Sequence, residues 1–266
     1  MRIVSLSTLV LLLMLLTSCA TVPITGRQQL SLIPSSTLMS MSYQQYGEFL
    51  KTKKLSTDKA GTDQVKRVGT RIQGAVERYF QQSGQADQLQ GYKWEFNLVE
   101  SKEVNAWCMP GGKVVVYTGI LPVAKDETGL AVVMGHEIAH AIAGHGSERM
   151  SQELLAQFGA VALSTSMSQQ PEQTRQLWMS VYGAGAQYGA LLPYGRLQES
   201  EADRLGLIFM AMAGYDPHEA VTFWERMAKM KGGQQPPEFL STHPSDATRI
   251  AEIKKLIPEA MGYYGK

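Results

Sequence analysis

Apolar residues in the first third of the chain recur at the i, i+3, i+4, i+7 spacing of a helix with one buried face. This set comprises Val65, Val68, Ile72, Ala75, Val76, Tyr79 and Phe80. A shorter helix is predicted before it, beginning near Ser35 and Ser36, because serine side chains suit helix N-caps. The pattern therefore predicts two consecutive helices.

The period of the pattern then changes from that of a helix to that of a strand. Tyr92, Trp94, Phe96 and Leu98 alternate with polar residues, which indicates a half-buried strand. A run of three valines at 114–116 follows the turn Pro110-Gly111-Gly112 and predicts another strand. Together these segments predict a small β-sheet.

The rest of the chain has helical character. Capping residues and glycine or proline breaks divide it into separate helices. The first follows Asp126 and ends at Gly144, and the stretch 147–192 forms helices with a break at Pro171. Further helices are predicted from Leu197 to Ala213, after the N-cap Asp216, and around Ile250, which follows a loop from Gly232 to Pro237. The predicted fold class is therefore α+β, mostly α-helical, with a small β-sheet.

Composition narrows the class of protein. The 266 residues are 44% hydrophobic and 18% charged, which is ordinary for a globular protein. The formal net charge of +1 argues against nucleic acid as a partner, because such proteins carry a basic surface. The cysteines are Cys19 and Cys108. Since Cys19 has another predicted fate, no disulfide framework is expected.

The first eighteen residues indicate a targeting segment. A basic start precedes an apolar run from Leu9 to Leu16 that is too short to span a bilayer comfortably. The run ends in Leu16-Thr17-Ser18-Cys19, which resembles the lipobox of bacterial lipoproteins. This resemblance predicts a signal peptide at 1–18, a lipidated Cys19 that anchors the chain to a membrane, and a tether at 19–36. A plain signal peptide with an incidental cysteine is the alternative.

The residue after the cysteine bears on location. By the same resemblance, Ala20 in place of an aspartate favours the outer membrane of a bacterial envelope, with the protein facing the periplasm. The folded domain would then occupy residues 37–266.

The motif His136-Glu137-Ile138-Ala139-His140 carries the chemistry. On a helix, residues four apart lie about 40° apart around the axis, so both imidazoles can hold one Zn²⁺. A site with three protein ligands leaves a position for a water molecule, whose pKa falls to about 7. Glu137 lies beside this position and can act as general base. The sequence therefore predicts one zinc ion per chain.

A third ligand must come from elsewhere in the chain. His145 lies roughly 140° around the helix from His140 and so faces away, and Gly146 occupies the place of the third histidine in the extended metzincin motif. Glu199 and Asp203 are four apart and share a helix face. One of these carboxylates can bind zinc while the other orients a ligating histidine. Glu201 points nearly opposite to Glu199.

The chain resembles the HtpX and CAAX-prenyl-protease family of zinc metallopeptidases, which are gluzincins. The matching stretches are Val104-Asn105-Ala106 with Pro110-Gly111-Gly112, His136 to His140, Gln198 to Gly206, and Thr242-His243-Pro244 with Arg249. The resemblance implies a zincin-type metallopeptidase domain. It also assigns the third zinc ligand to Glu199, which leaves Asp203 as the residue that orients a ligand.

The same resemblance implies roles for other residues. His243 would make a fourth contact to zinc in the resting state or donate to the tetrahedral intermediate. Asn105 and Ala106 would lie on an edge strand that binds an extended substrate by main-chain pairing. Trp107-Cys108 is an unusual sequel to Asn-Ala, and Gly195 stands where the family often has serine. Cys108 is interpreted as an inert, partly buried cysteine, with regulation through its thiol as the alternative.

Three functions compete. The leading hypothesis is a metalloendopeptidase that cleaves unfolded or misassembled envelope proteins in protein quality control. The alternative is a zinc-containing periplasmic chaperone or assembly factor without proteolysis, which would have no use for Glu137 beside the metal. A third possibility is a structural lipoprotein with a chance motif, which would bind no metal.

Overall fold

The computed structural model describes residues 19–230, 238–244 and 247–266. The chain divides into two compact units. The larger unit comprises residues 36–143 and 198–266, and the smaller comprises residues up to 35 together with 144–197. The predicted signal peptide at 1–18 and the predicted loop from Gly232 to Pro237 lie outside the described residues.

Two helices open the larger unit, as the apolar pattern predicts. They are α1 (Ser35–Thr52) and α2 (Lys59–Gln82). The carboxylate of Asp58 caps α2 by accepting a hydrogen bond from the backbone N–H of Gly61 at 3.1 Å. The predicted apolar face of α2 is buried except at Tyr79, which is only partly covered. Burial of this stripe fixes the helix against the rest of the unit.

A three-stranded sheet packs beside these helices. Its strands β3 (Glu95–Val99), β4 (Ala106–Met109) and β5 (Lys113–Tyr117) lie in the order β3-β5-β4. Strand β5 pairs parallel with β3 and antiparallel with β4. The turn between β4 and β5 requires φ values of 83° at Gly111 and 82° at Gly112, which glycine adopts without strain. Strand β4 thus lies at an edge of the sheet.

The centre of the larger unit is a helix that is buried along most of its length. A short helix α3 (Leu121–Ala124) leads into α4 (Glu127–Ile142). Asp126 caps α4 as predicted, because its carboxylate accepts hydrogen bonds from the backbone N–H groups of Thr128 and Gly129. Helix α4 packs against α2 and β4. Helix α4 is apolar on nearly all sides, as expected for a helix that is surrounded by other parts of the unit.

The remaining helices of the larger unit are α7 (Leu192–Met212), whose first residues belong to the smaller unit, α8 (Glu219–Met230), α9 (Glu238–Thr242) and α10 (Ala247–Met261). Two of them differ in length from the prediction. Helix α7 begins five residues before Leu197, and α10 is fifteen residues long, not short. The fold is mostly helical with small sheets, which confirms the predicted α+β class.

The smaller unit combines a β-ribbon with a helical hairpin. Strands β1 (Cys19–Thr21) and β2 (Gln28–Leu30) pair antiparallel where a tether was expected. Helices α5 (His145–Ser166) and α6 (Glu172–Ala186) are separated at Pro171 as predicted. Arg27 explains the ordered ribbon, because its guanidinium donates two hydrogen bonds, of 2.7 and 2.9 Å, to the buried carboxylate of Glu148 on α5. Within the described residues, none of the helices has both the length and the apolar character needed to cross a membrane.

Candidate metal centre

Four side chains of the larger unit converge on one point. His136 and His140 come from α4, Glu199 from α7 and His243 from the residue after α9. Each offers one ligand atom, and these atoms all lie within 4.8 Å of one another. The three histidines are buried, and Glu199 is largely so. Buried nitrogen and carboxylate donors at this spacing are what a metal ion requires.

The separations between these donors test whether zinc fits. Ligands about 2.0–2.1 Å from a tetrahedral zinc ion lie roughly 3.3 Å from one another. The Nε2 atoms of His136 and His140 are 3.1 Å apart. The Glu199 carboxylate oxygens lie 3.4 Å from the first of these nitrogens and 3.3 Å from the second. Two imidazoles and one carboxylate therefore have both the chemistry and the spacing of a zinc site.

Asp203 fixes the ring of His136. Its Oδ1 atom lies 3.0 Å from Nδ1 of His136, which leaves Nε2 directed at the other donors. A carboxylate on the second nitrogen is the usual way in which a ligating histidine is oriented. Because Glu199 and Asp203 are four residues apart on α7, one helix face supplies both carboxylates, as the spacing indicated. Glu201 is buried but is not a member of the donor cluster.

Arg249 joins the parts of the site and was given no role by the sequence reasoning. Its guanidinium donates hydrogen bonds to both carboxylate oxygens of Asp203, each 2.8 Å long. A third nitrogen lies 3.2 Å from Glu199 and also donates to the backbone carbonyl of Pro244 at 3.1 Å. The guanidinium stacks 3.5 Å above the centre of the Trp224 ring system. One buried cation thus connects α7, α10 and the segment that carries His243.

The electrostatics of the cluster favour positive charge at its centre. Burial lowers the pKa of His136, but its hydrogen bonds with Asp203 and Glu199 outweigh burial and raise that pKa to about 9. Burial raises the pKa of Glu199, yet hydrogen bonds with the three histidines hold it well below its usual range. Burial also raises the pKa of Asp203, but the positive charge of Arg249 is the largest influence that lowers it, and the pKa stays below its usual value. Both carboxyl groups are therefore ionised at neutral pH.

Glu137 and His243 face each other at the side of the donor cluster. The Nδ1 atom of His243 lies 2.9 Å from Glu199 and 3.1 Å from His136, while its Nε2 atom lies 3.4 Å from the Glu137 carboxylate. His243 thus contacts two other donors through one ring nitrogen and approaches Glu137 through the other. Its ring also lies 4.5 Å from the ring of Phe239, which the sequence reasoning did not single out. His145 is not a member of the cluster.

The predicted substrate-binding residues lie at the edge of the sheet. The carbonyl oxygen of Asn105 accepts a hydrogen bond from the backbone N–H of Tyr117 in β5. Because hydrogen-bonded and non-hydrogen-bonded pairs alternate in an antiparallel ladder, the main-chain groups of Ala106 and Cys108 point away from β5. The Asn105 side chain accepts a hydrogen bond from the N–H of Ala106 at 2.9 Å. Burial raises the pKa of the Cys108 thiol well above its usual value, so the thiol remains protonated.

Known proteins similar to this chain are peptidases. Mitochondrial metalloendopeptidase OMA1 of Schizosaccharomyces pombe is 36% identical over 190 residues, which cover 71% of this chain and 53% of the relative. The human mitochondrial metalloendopeptidase OMA1 is 30% identical over 247 residues, covering 90% of this chain and 46% of the relative. The β-barrel assembly-enhancing protease of Escherichia coli is 30% identical over 166 residues, or 60% of this chain and 34% of the relative. The chain thus spans about half or less of the length of these relatives.

These relatives correct the predicted location. A lipid-anchored protein of the bacterial outer membrane, facing the periplasm, was expected from the apolar run and Cys19. Relatives from fission yeast, budding yeast, cattle and humans are mitochondrial enzymes, which point away from that location. The location prediction is therefore wrong. Its basis was a run of about twenty residues, too short a pattern to identify one compartment.

A known peptidase family matches a long stretch of this chain. Residues 66–257 match Peptidase family M48, a range that includes every member of the donor cluster together with Glu137, Asp203 and Arg249. The resemblance to the HtpX and CAAX-prenyl-protease branch stays a prediction. This match covers more than half of the chain, which therefore belongs to Peptidase family M48, a family of zinc-dependent metallopeptidases.

Proposed function

We propose that this chain is a zinc metalloendopeptidase in which His136, His140 and Glu199 hold one zinc ion and Glu137 is the general base. The observation that carries the proposal is that helices α4 and α7 bring their donors to one point. The carboxylate of Glu137, which adjoins His136 in the chain, lies beside these donors. Family membership supports the reaction class, which is hydrolysis of peptide bonds. The zinc ion would supply an activated water molecule and polarise the scissile carbonyl.

Glu137 moves the proton in this reaction. Its carboxylate takes a proton from the attacking water and passes it to the leaving amine, which needs a group within reach of both. His243 lies 3.4 Å from Glu137 and within the donor cluster. This position suits both roles expected for His243. The imidazole can contact zinc in the resting site, or it can donate a hydrogen bond to the tetrahedral intermediate.

Arg249 and Asp203 hold the ligands in place. The two hydrogen bonds between them fix the carboxylate of Asp203, which in turn orients His136. A ligand whose ring is already oriented loses less freedom when it binds an ion. These contacts therefore hold His136 in the orientation that a metal ion requires.

The edge strand β4 supports binding of an extended peptide. Main-chain groups of Cys108 point away from β5, and the strand packs against α4, which carries Glu137. A peptide paired with this edge would gain main-chain hydrogen bonds whatever its sequence. Such binding suits a peptidase that acts on segments exposed by unfolding.

The proposed substrates are unfolded or misassembled proteins. One relative is named for enhancing β-barrel assembly, which links a protease of this family to protein assembly. Recognition through main-chain pairing also favours unfolded chains, because folded proteins offer few unpaired strands. Protein quality control is accordingly the proposed role.

The experiment that tests the proposal replaces Glu137 with glutamine. Gln is nearly isosteric with Glu, so the fold and the zinc ligands should be unchanged. Cleavage of an unfolded protein, such as fluorescently labelled casein, should fall about 10²- to 10⁴-fold, because an amide cannot accept the proton. Zinc content is measured on the same samples. Glu127→Gln, at the start of the same helix, is the matched control and should cleave at the wild-type rate.

Two outcomes would contradict the proposal. If Glu137→Gln retains zinc and cleaves casein at the wild-type rate, Glu137 is not the general base. If the wild-type chain binds zinc and prevents aggregation of unfolded protein without cleaving it, the chaperone hypothesis is the better one.

A further inference from the structure

Two glycines bring the metal-binding helices into main-chain contact. Gly135 on α4 and Gly206 on α7 face each other where the helices cross. A Cβ atom built on Gly206 would lie 2.9 Å from the carbonyl carbon of Gly135 and 2.9 Å from the backbone nitrogen of His136. One built on Gly135 would lie 3.0 Å from the carbonyl oxygen of Gly206. Because packed carbon atoms are about 3.5–4.0 Å apart, a methyl group at Gly206 would force the two backbones to shift, and one at Gly135 would require a shift of a few tenths of an ångström.

The crossing point is adjacent to the metal donors on both helices. On α7, Glu199, Asp203 and Gly206 follow the i, i+4, i+7 spacing of one helix face. On α4, Gly135 directly precedes His136. The backbone contact at Gly206 therefore lies one turn from Asp203, whose carboxylate lies 3.0 Å from His136.

A short side chain makes this helix separation critical. Asp203 has two rotatable side-chain bonds, so its carboxylate cannot extend to follow a receding helix. A Cβ at position 206 would push the backbones apart by at least about half an ångström to reach ordinary contact. Metal sites tolerate deviations of only about 0.2 Å in ligand distance, and supporting groups about 0.5 Å. The displacement would therefore disturb both Asp203 and Glu199.

We infer that Gly206, together with Gly135, is a positioning residue for the metal centre. Its missing side chain sets the separation at which Asp203 can orient His136 and Glu199 can join the two histidines of α4. This inference rests on the proposed function, in which these residues bind zinc. It assigns to a residue without functional groups the task of holding two helices in register.

A purely structural role would have a different signature. Gly69 on α2 is also buried, and a Cβ built there would lie 2.3 Å from the ring of Phe96, which is not one of the metal donors. Gly69→Ala should lower stability without changing zinc affinity. Gly74 on the same helix has its nearest neighbour at 3.5 Å, so Gly74→Ala should raise stability slightly through helix propensity and leave zinc affinity unchanged. These two glycines give matched controls for packing and for helix propensity.

The experiment measures zinc affinity by competition with a chelator and unfolding in chelator-treated samples. Gly206→Ala should weaken zinc binding about 10- to 100-fold, the range seen when groups that support metal ligands are removed. The visible spectrum of the Co²⁺-substituted protein should also change, because it reports ligand geometry. Gly69→Ala should keep both the wild-type affinity and the wild-type Co²⁺ spectrum.

Gly135→Ala is measured in parallel and should show the same selective loss, so the test does not depend on one variant folding. Suppose that the wild-type chain binds zinc and that a folded Gly206→Ala or Gly135→Ala variant binds it with wild-type affinity. That result overturns this inference but leaves the proposed function standing. An equal loss of affinity in Gly69→Ala overturns it too, because the effect would then follow stability. If the wild-type chain binds no zinc, the proposed function fails and this inference fails with it.

Discussion

At the scale of single residues, the metal centre depends on contacts that a linear sequence reveals unevenly. The spacing of Glu199 and Asp203 indicated a shared helix face, and the structure places both carboxylates against His136. The contact between Arg249 and Asp203 was not predicted, because the two residues lie 46 positions apart and no periodic pattern connects them. Local geometry is readable from spacing, whereas an ion pair between distant segments requires the fold.

The register of the α7 carboxylates leads to a residue-scale prediction. Glu199→Gln should lose most of its zinc, because a neutral amide replaces an anionic ligand within the donor cluster. Glu201→Gln, two positions away, should retain wild-type zinc content, since Glu201 is outside that cluster. Zinc is measured by elemental analysis after gel filtration. Retention of zinc by the first variant and loss by the second would show that the neighbouring glutamate is the ligand.

At the scale of secondary-structure elements, long capped segments were predictable and short paired ones were not. Helix α4 has a capping aspartate and a continuous apolar surface, and its bounds follow from those signals. Strands β1 and β2 have three residues each, too few to show a period, so the sequence pattern predicted a tether here and gave no sign of the ribbon. The ribbon depends on Arg27 and Glu148, which are 121 positions apart.

The edge strand β4 gives a prediction about substrate binding. Cys108→Pro removes a backbone N–H that points away from β5, which an edge strand tolerates because no ladder bond is lost. We expect kcat/KM for an extended peptide to fall about 2- to 10-fold, the value of one net hydrogen bond. Cys108→Ala keeps the N–H group and should behave as wild type. Equal kcat/KM for all three proteins, with zinc bound, would mean that the substrate does not pair at this position.

At the scale of the whole molecule, the predicted class of fold is confirmed and the predicted location is wrong, while the assignment of metal ligands stays a prediction that the donor cluster supports. The HExxH motif and its helix are local and were sufficient to identify a metallopeptidase. The residues that suggested a lipoprotein precede the matched family range, which begins at residue 66. The two compact units reflect contacts of helix α5 with strand β2 and with helix α6, and the folded domain expected at 37–266 stays a prediction.

Metal removal should change the stability of the folded chain. A ligand that binds only the native state stabilises it by about 2.7 kcal/mol at one hundred times its Kd. For a chain of this size that corresponds to a rise in Tm of about 5–10 °C. Thermal unfolding with excess zinc and with a chelator should show this difference, and His140→Ala should abolish it. If zinc raises the Tm of His140→Ala as much as that of the wild type, the stabilising ion binds at a site other than the donor cluster.

The pairing of Arg249 with Asp203 also has a consequence for which ions the buried centre can accept. Among the described groups, the carboxylates of Glu137, Glu199 and Asp203 oppose one guanidinium, while histidines that act as ligands are neutral. The formal total of these four groups is minus two, so a divalent cation would balance their charge. A monovalent or trivalent ion would leave net charge in a region of low dielectric constant, which is costly. Charge balance among these groups thus favours a divalent ion, and the imidazole nitrogens would then discriminate among divalent metals.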